Sequence, residues 1–131
     1  MFGIKKINNI TIRDGIAYLS CSFGLVLLDL INEEIIDTYV LQDNGNVLEI
    51  NDCAILEMSS TALKILAATS KGLYIGDDFS ILNDPNNWTR NGSEMNAINI
   101  IRNENIGATL YKNENSAFLD IFYPDCLKFL Q

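Results

Sequence analysis

Acidic and amide side chains are the groups with most chemistry to offer in this 131-residue chain, which contains no histidine. Without His, Ser-His-Asp and Cys-His nucleophilic catalysis and His-ligated zinc or haem are excluded. The carboxylates fall into a few groups. Asp77, Asp78 and Asp84 surround one long connection and could attract a cation, but the D-x-D-x-D-G calcium spacing is missing, which predicts a solvated loop. Asp29 with Glu33 and Glu34 has the composition of an acid pair, yet nothing sets a second carboxyl of shifted pKa across a cleft from it. Asp43-Asn44-Gly45-Asn46 is rich in oxygen, and its Asn-Gly is a hairpin signal. Gly72-Leu73-Tyr74-Ile75-Gly76 lacks the Lys-Ser/Thr ending of a phosphate loop. Trp88, after Pro85-Asn86-Asn87, is the candidate binding-surface residue: it could stack on a sugar ring or close a hydrophobic layer. No catalytic residue, metal site or cofactor is expected.

Cys21, Cys53 and Cys126 stand in apolar or strand-forming surroundings with no CxxC pair. They are expected to be buried core thiols, one intramolecular disulfide remaining open in an oxidising compartment. Seventeen acidic and nine basic residues give a net charge of −8. A surface of that sign repels phosphate backbones and argues against nucleic-acid binding. The longest apolar runs, such as Phe23–Leu28, are far too short to span a bilayer, and no basic amphipathic helix suits a membrane surface. Met1–Asn9 has two lysines but no hydrophobic run after them, so it is not a secretory signal. The chain is expected to be cytoplasmic or a piece of a longer protein.

These residues must be positioned by strands. The chain is 48% hydrophobic and 20% charged, which suits one domain, residues 1–131, with its own core. Short apolar runs alternate with turn clusters such as Arg13-Asp14-Gly15, Lys71-Gly72, Asp84–Asn87 and Asn113–Asn115. That punctuation predicts antiparallel strands joined by hairpins, an all-β fold without a clean helical stripe.

Ile16–Leu27 aligns with Leu63–Tyr74, each a strand, a small or hydroxyl residue, a short turn with Gly and a second strand. Gly24 and Gly72 are the expected structural turns, 48 positions apart, near the period of a propeller blade. On that period the chain divides into about three four-stranded antiparallel blades, near 7–42, 47–92 and 96–131. The second opens with one strand over Val47–Met58, broken near Asn51. The third closes with Cys126–Leu130 and lacks the Gly turn. A β-sandwich is the competing architecture.

The order Ile7–Ile12, Ala17–Ser20, Phe23–Val26, Asp29-Leu30, Glu34–Tyr39, Asn51-Asp52, Ala67–Thr69, Gly72–Tyr74 and Leu82–Thr89 resembles the N-terminal β-propeller of PorZ-type proteins. These are components of the type IX secretion system of Bacteroidetes. The chain is similar, more loosely, to ligand-sensing propellers of hybrid two-component regulators. The resemblance implies a non-catalytic binding or assembly module. For full-length relatives it implies an envelope location and envelope polysaccharide as a partner.

A partial propeller leaves its end blades without neighbours, and Ile98–Ile101 and Phe118–Tyr123 are too apolar to cap one. Self-association is therefore expected, two copies closing six blades as a homodimer.

Overall fold

The computed structural model describes residues 5–57, 63–77, 81–103, 106–113, 116–123 and 128–129. The first sheet is a meander in the order β1 (Ile7–Arg13), β2 (Ile16–Cys21), β3 (Gly24–Asp29), β4 (Glu34–Tyr39). A two-stranded hairpin follows, β5 (Gln42–Asp43) with β6 (Asn46–Val47). The second sheet runs β7 (Ile50–Glu57), β8 (Leu63–Thr69), β9 (Gly72–Gly76), β10 (Trp88–Asn91), with a 3-10 turn at Pro85–Asn87 before β10. The third holds β11 (Ala97–Asn103), β12 (Ile106–Lys112), β13 (Ala117–Tyr123) and β14 (Lys128–Phe129).

Every pairing within the three sheets is antiparallel between neighbours in sequence. The three first strands adjoin, β1 beside β7 and β7 beside β11, so the sheets radiate as blades from a common axis. Two facing sheets would place the contact across whole sheets, and the sandwich is thereby set aside. The all-β, partial-propeller expectation holds.

Sequence alternation explains the layering. Tyr18, Leu25, Leu27 and Tyr39 point from the first blade onto Cys53, Ile55, Ile65 and Tyr74 of the second. The other face of β7–β9 carries Ala54, Leu56, Leu66, Ala68 and Leu73 onto Ala97, Ile100 and Tyr111 of the third. Period-2 strands that are apolar on both faces are what a middle blade requires.

Gly24 and Gly72 each open a third strand after a two-residue turn, paired with Cys21 and Thr69. Their φ values are +151° and +104°. A Cβ would lie 2.6 Å from the Tyr39 carbonyl oxygen at Gly24 and 2.1 Å from that of Ser93 at Gly72. Close approach of the outer chain, as well as backbone conformation, therefore demands glycine. In the third blade Lys112 pairs with Ala117 across a longer loop, which Asn113 closes by accepting from the Ser116 amide and hydroxyl.

One strand expectation needs correction. Val47–Met58 is not one strand: Val47 pairs with Gln42 in the small hairpin, and β7 starts at Ile50 with an irregular register between Ile50 and Asp52. The Asn44-Gly45 turn, with Asn44 at φ +50°, pulls Asn46 and Val47 back onto β5. Met58, Asp78, Pro124 and Cys126 lie outside the described residues.

Candidate functional site

The carboxylates singled out by sequence build loops. Asp29 accepts from the amides of Ile31 (2.9 Å) and Asn32 (3.1 Å) and from the Asn32 side chain (2.9 Å). Those bonds, led by the Asn32 amide, hold its carboxyl below the usual carboxylate range. Asp77 pairs with Lys64 at 3.0 Å, and Asp84 caps the 3-10 turn through the Asn86 amide. Among the described residues no three His, Cys, Asp or Glu side chains converge to hold a metal ion.

Trp88 corrects the binding-surface expectation. It is only 6% exposed, its ring centroid sits 6.0 Å from that of Tyr39, and its indole N–H donates to the Leu82 carbonyl at 2.9 Å. A ring held this way presents no free face for stacking on a ligand. Cys21 and Cys53 are both buried and free, so no disulfide joins them. Burial pushes the Cys53 thiol up to about 11, leaving it protonated and unreactive at neutral pH. It lies at a cleft of about 240 Å³ between β1 and β7, lined also by Thr11, Arg13 and Ile55. Among the described residues no carboxylate lines that cleft.

The polar groups that the structure does bring together lie between inner strands. The Asn8 side-chain amide donates to the Ile50 carbonyl at 2.8 Å, and the Asn51 amide donates to the Ala97 carbonyl at 2.8 Å. Asn51 also bonds Asn96 at 3.0 Å, and Thr11 reaches the Cys53 carbonyl at 3.1 Å. Buried Asp52 accepts from the Asn9 side chain, from the Cys53 amide (2.9 Å) and from the Ile100 amide (2.8 Å). A carboxylate with three N–H donors on its oxygens is stable without a countercation. Sequence reasoning missed this ladder. Its signal was Ile7-Asn8-Asn9 recurring as Ile50-Asn51-Asp52, each at a register irregularity near the start of an inner strand.

Outside the seams, two sheet faces carry exposed aliphatic residues among the described residues. The outward face of the first blade carries the cross-strand rows Ile10-Leu19-Val26 and Ile12-Ala17-Leu28, with Ile10 and Ile12 exposed. That of the third carries Asn99-Leu110-Leu119 and Ile101-Ala108-Ile121, with Ile101, Leu119 and Ile121 exposed. Exposed aliphatic side chains grouped on a sheet face suit an interaction surface.

Four-stranded meanders meeting at their first strands, with no assembled reactive centre among the described residues, define a β-propeller framework. Residues 1–89 match the family model described as "TSS9, PorZ, N-terminal beta-propeller domain", and the chain belongs to that family. The match is to the first of the two resemblances drawn from the sequence. A solved structure of PorZ from Porphyromonas gingivalis, described as an essential bacterial surface component of the type-IX secretion system, superposes with a TM-score of 0.68 at 20% identity. The superposition covers 95% of this chain and 15% of that one, so the chain spans a small part of that relative's length. A comparison with curated protein sequences finds no match.

Proposed function

We propose that this chain is a non-catalytic binding and assembly module of a type IX secretion machinery at the cell envelope. One observation carries the reading: on a PorZ-family framework, aliphatic side chains stand exposed on two sheet faces. A protein surface suits them better than an envelope polysaccharide, because aliphatic side chains on a flat sheet give sugar hydroxyls no hydrogen-bond partners. Disruption of the gene in its source bacterium is expected to block surface delivery of type IX cargo, with rescue by the wild-type gene. Undiminished delivery in the disrupted strain would sink the reading. A chain that turns over a substrate, with loss on substitution of one carboxylate, would sink its non-catalytic part.

A further inference from the structure

Asn-Gly occurs twice in the chain, at Asn44-Gly45 and Asn91-Gly92, close to one blade period apart. An asparagine before glycine can react with its own main chain, because no Cβ shields the next amide nitrogen. That nitrogen attacks Cγ: the new C–N bond closes a succinimide ring while the Cγ–Nδ2 bond breaks. Nδ2 leaves as ammonia, taking up the proton that the attacking amide sheds. Water then opens the ring at either carbonyl, giving aspartate or isoaspartate. In isoaspartate the main chain runs through the old side chain and is longer by a methylene.

The two copies are held very differently. Asn44 and Gly45 are exposed, sit at the centre of their turn with φ +50° and +82°, and a Cβ on Gly45 would meet nothing within 4 Å. Two pairs close that hairpin, Asp43 with Asn46 and Gln42 with Val47. Ring closure needs the Asn44–Gly45 peptide to swing out of the turn, and opening strands of two residues costs little. Asn91 instead ends β10, paired with Leu73. At Gly92, φ +84°, a Cβ would stand 3.3 Å from the Asp120 carboxylate and 3.4 Å from the Tyr111 hydroxyl. The third blade covers that step, and the same swing would require the outer strand of the second blade to detach.

We propose that Asn44 is a modification site, converting spontaneously to aspartate and isoaspartate, and that the isoaspartate form loosens the seam between the first two blades. The hairpin rises between Leu41 and Leu48, both buried in that seam, and the Leu48 amide donates to the Leu41 carbonyl at 2.9 Å. A main chain lengthened at residue 44 cannot keep both hairpin pairs in register. The strain falls on the bond between the two leucines. Both products also add a negative charge beside Asp43.

Peptide mapping by mass spectrometry tests this on the purified chain, held for weeks in mildly alkaline buffer. Electron-transfer fragmentation tells isoaspartate from aspartate. In the folded chain the amide-to-acid exchange should accumulate at Asn44 at least roughly tenfold faster than at Asn91, because only the cheaper opening is populated. In urea, where neither step is held, the two sites should convert at similar rates. Gly45→Ala should suppress conversion at Asn44 and leave Asn91 unchanged. The isoaspartate fraction, separated by chromatography, should unfold at a lower urea midpoint. Asn44→Asp, which adds the charge without lengthening the main chain, should keep the wild-type midpoint. Equal rates at the two sites in the folded chain overturn the proposal, as does an Asn44 that stays intact while the unfolded chain converts at both. An isoaspartate fraction with an unshifted midpoint overturns the effect on the seam.

Discussion

Between the first and second blades, Tyr18, Tyr39, Tyr74 and Trp88 fill the seam, joined by Leu41 and Leu48 of the connecting hairpin and by Leu82. Between the second and third, Ala54, Ala68 and Ala97 stand with Leu56, Leu66 and Leu73, and Tyr111 is the aromatic. Both seams carry the same amide-to-carbonyl contacts at their inner strands. The polar contacts set how closely inner strands approach, while the gap widens outward as blades diverge from the axis. Close packing then requires small residues such as Cys53 and Ala67 inside and rings such as Tyr39 and Trp88 on the outer strands.

The largest effect expected from this difference is at Trp88. Trp88→Ala should cost about 3–5 kcal/mol, against about 0.5–1.5 kcal/mol for Ile100→Val in the second seam, read from urea unfolding midpoints. Equal losses would mean that the two fills matter alike. Gly72→Ala should cost roughly 2–4 kcal/mol, from left-handed strain together with a clash against Ser93. Gly45→Ala is the control: it shares a positive φ but meets open space, and should cost about 1 kcal/mol.

In alkali the two seams differ through the Cys53 thiol. Burial raises the Cys53 thiol from 9.0 to about 11 in the first and the Tyr111 hydroxyl from 10.0 to about 12 in the second. Each folded-state pKa lies above its unfolded value, so the stabilisation is complete below the unfolded pKa and disappears as pH rises through the folded one. Cys53 therefore contributes a loss of roughly 2–3 kcal/mol between pH 9 and 11 that Cys53→Ala should remove. The burial-raised hydroxyls of Tyr18, Tyr39 and Tyr74 in the same seam add loss at higher pH. Loss at Tyr111 begins about one unit above that at Cys53, together with that of the first-seam tyrosines, and should persist in Cys53→Ala. The smallest effect belongs to the amides. Asn51→Ala, which strands a part-buried carbonyl, should cost about 1–2 kcal/mol, and Asn8→Ala, at an exposed position, about 0.5–1 kcal/mol.

The alternation of apolar runs with Gly and Asn turns was enough to read the all-β class and the bounds of β2, β3, β8 and β9. Those runs declare themselves locally, through short, nearly continuous apolar stretches and a glycine at each hairpin. The seam polar groups do not. In a chain so rich in asparagine, Asn8, Asn51 and Asp52 look like turn formers, and only the register irregularity turns them toward another blade. Trp88 was ambiguous for a related reason: Leu82, which accepts its indole N–H, lies six residues back across a turn that sequence spacing does not fold. Asn46-Val47 likewise reads as the start of a long strand until the hairpin closes it onto Gln42-Asp43.

Asp52 has a consequence for how the molecule comes apart. Its carboxylate draws one donor from the first blade, one from its own and one from the third. Release of either outer blade strands charge in a site that is otherwise closed to water. Partial unfolding is thus penalised from both directions, and the stepwise fraying usual in linear repeat arrays is suppressed. The amides of Cys53 and Ile100, though in different sheets, should exchange their hydrogens in one concerted opening.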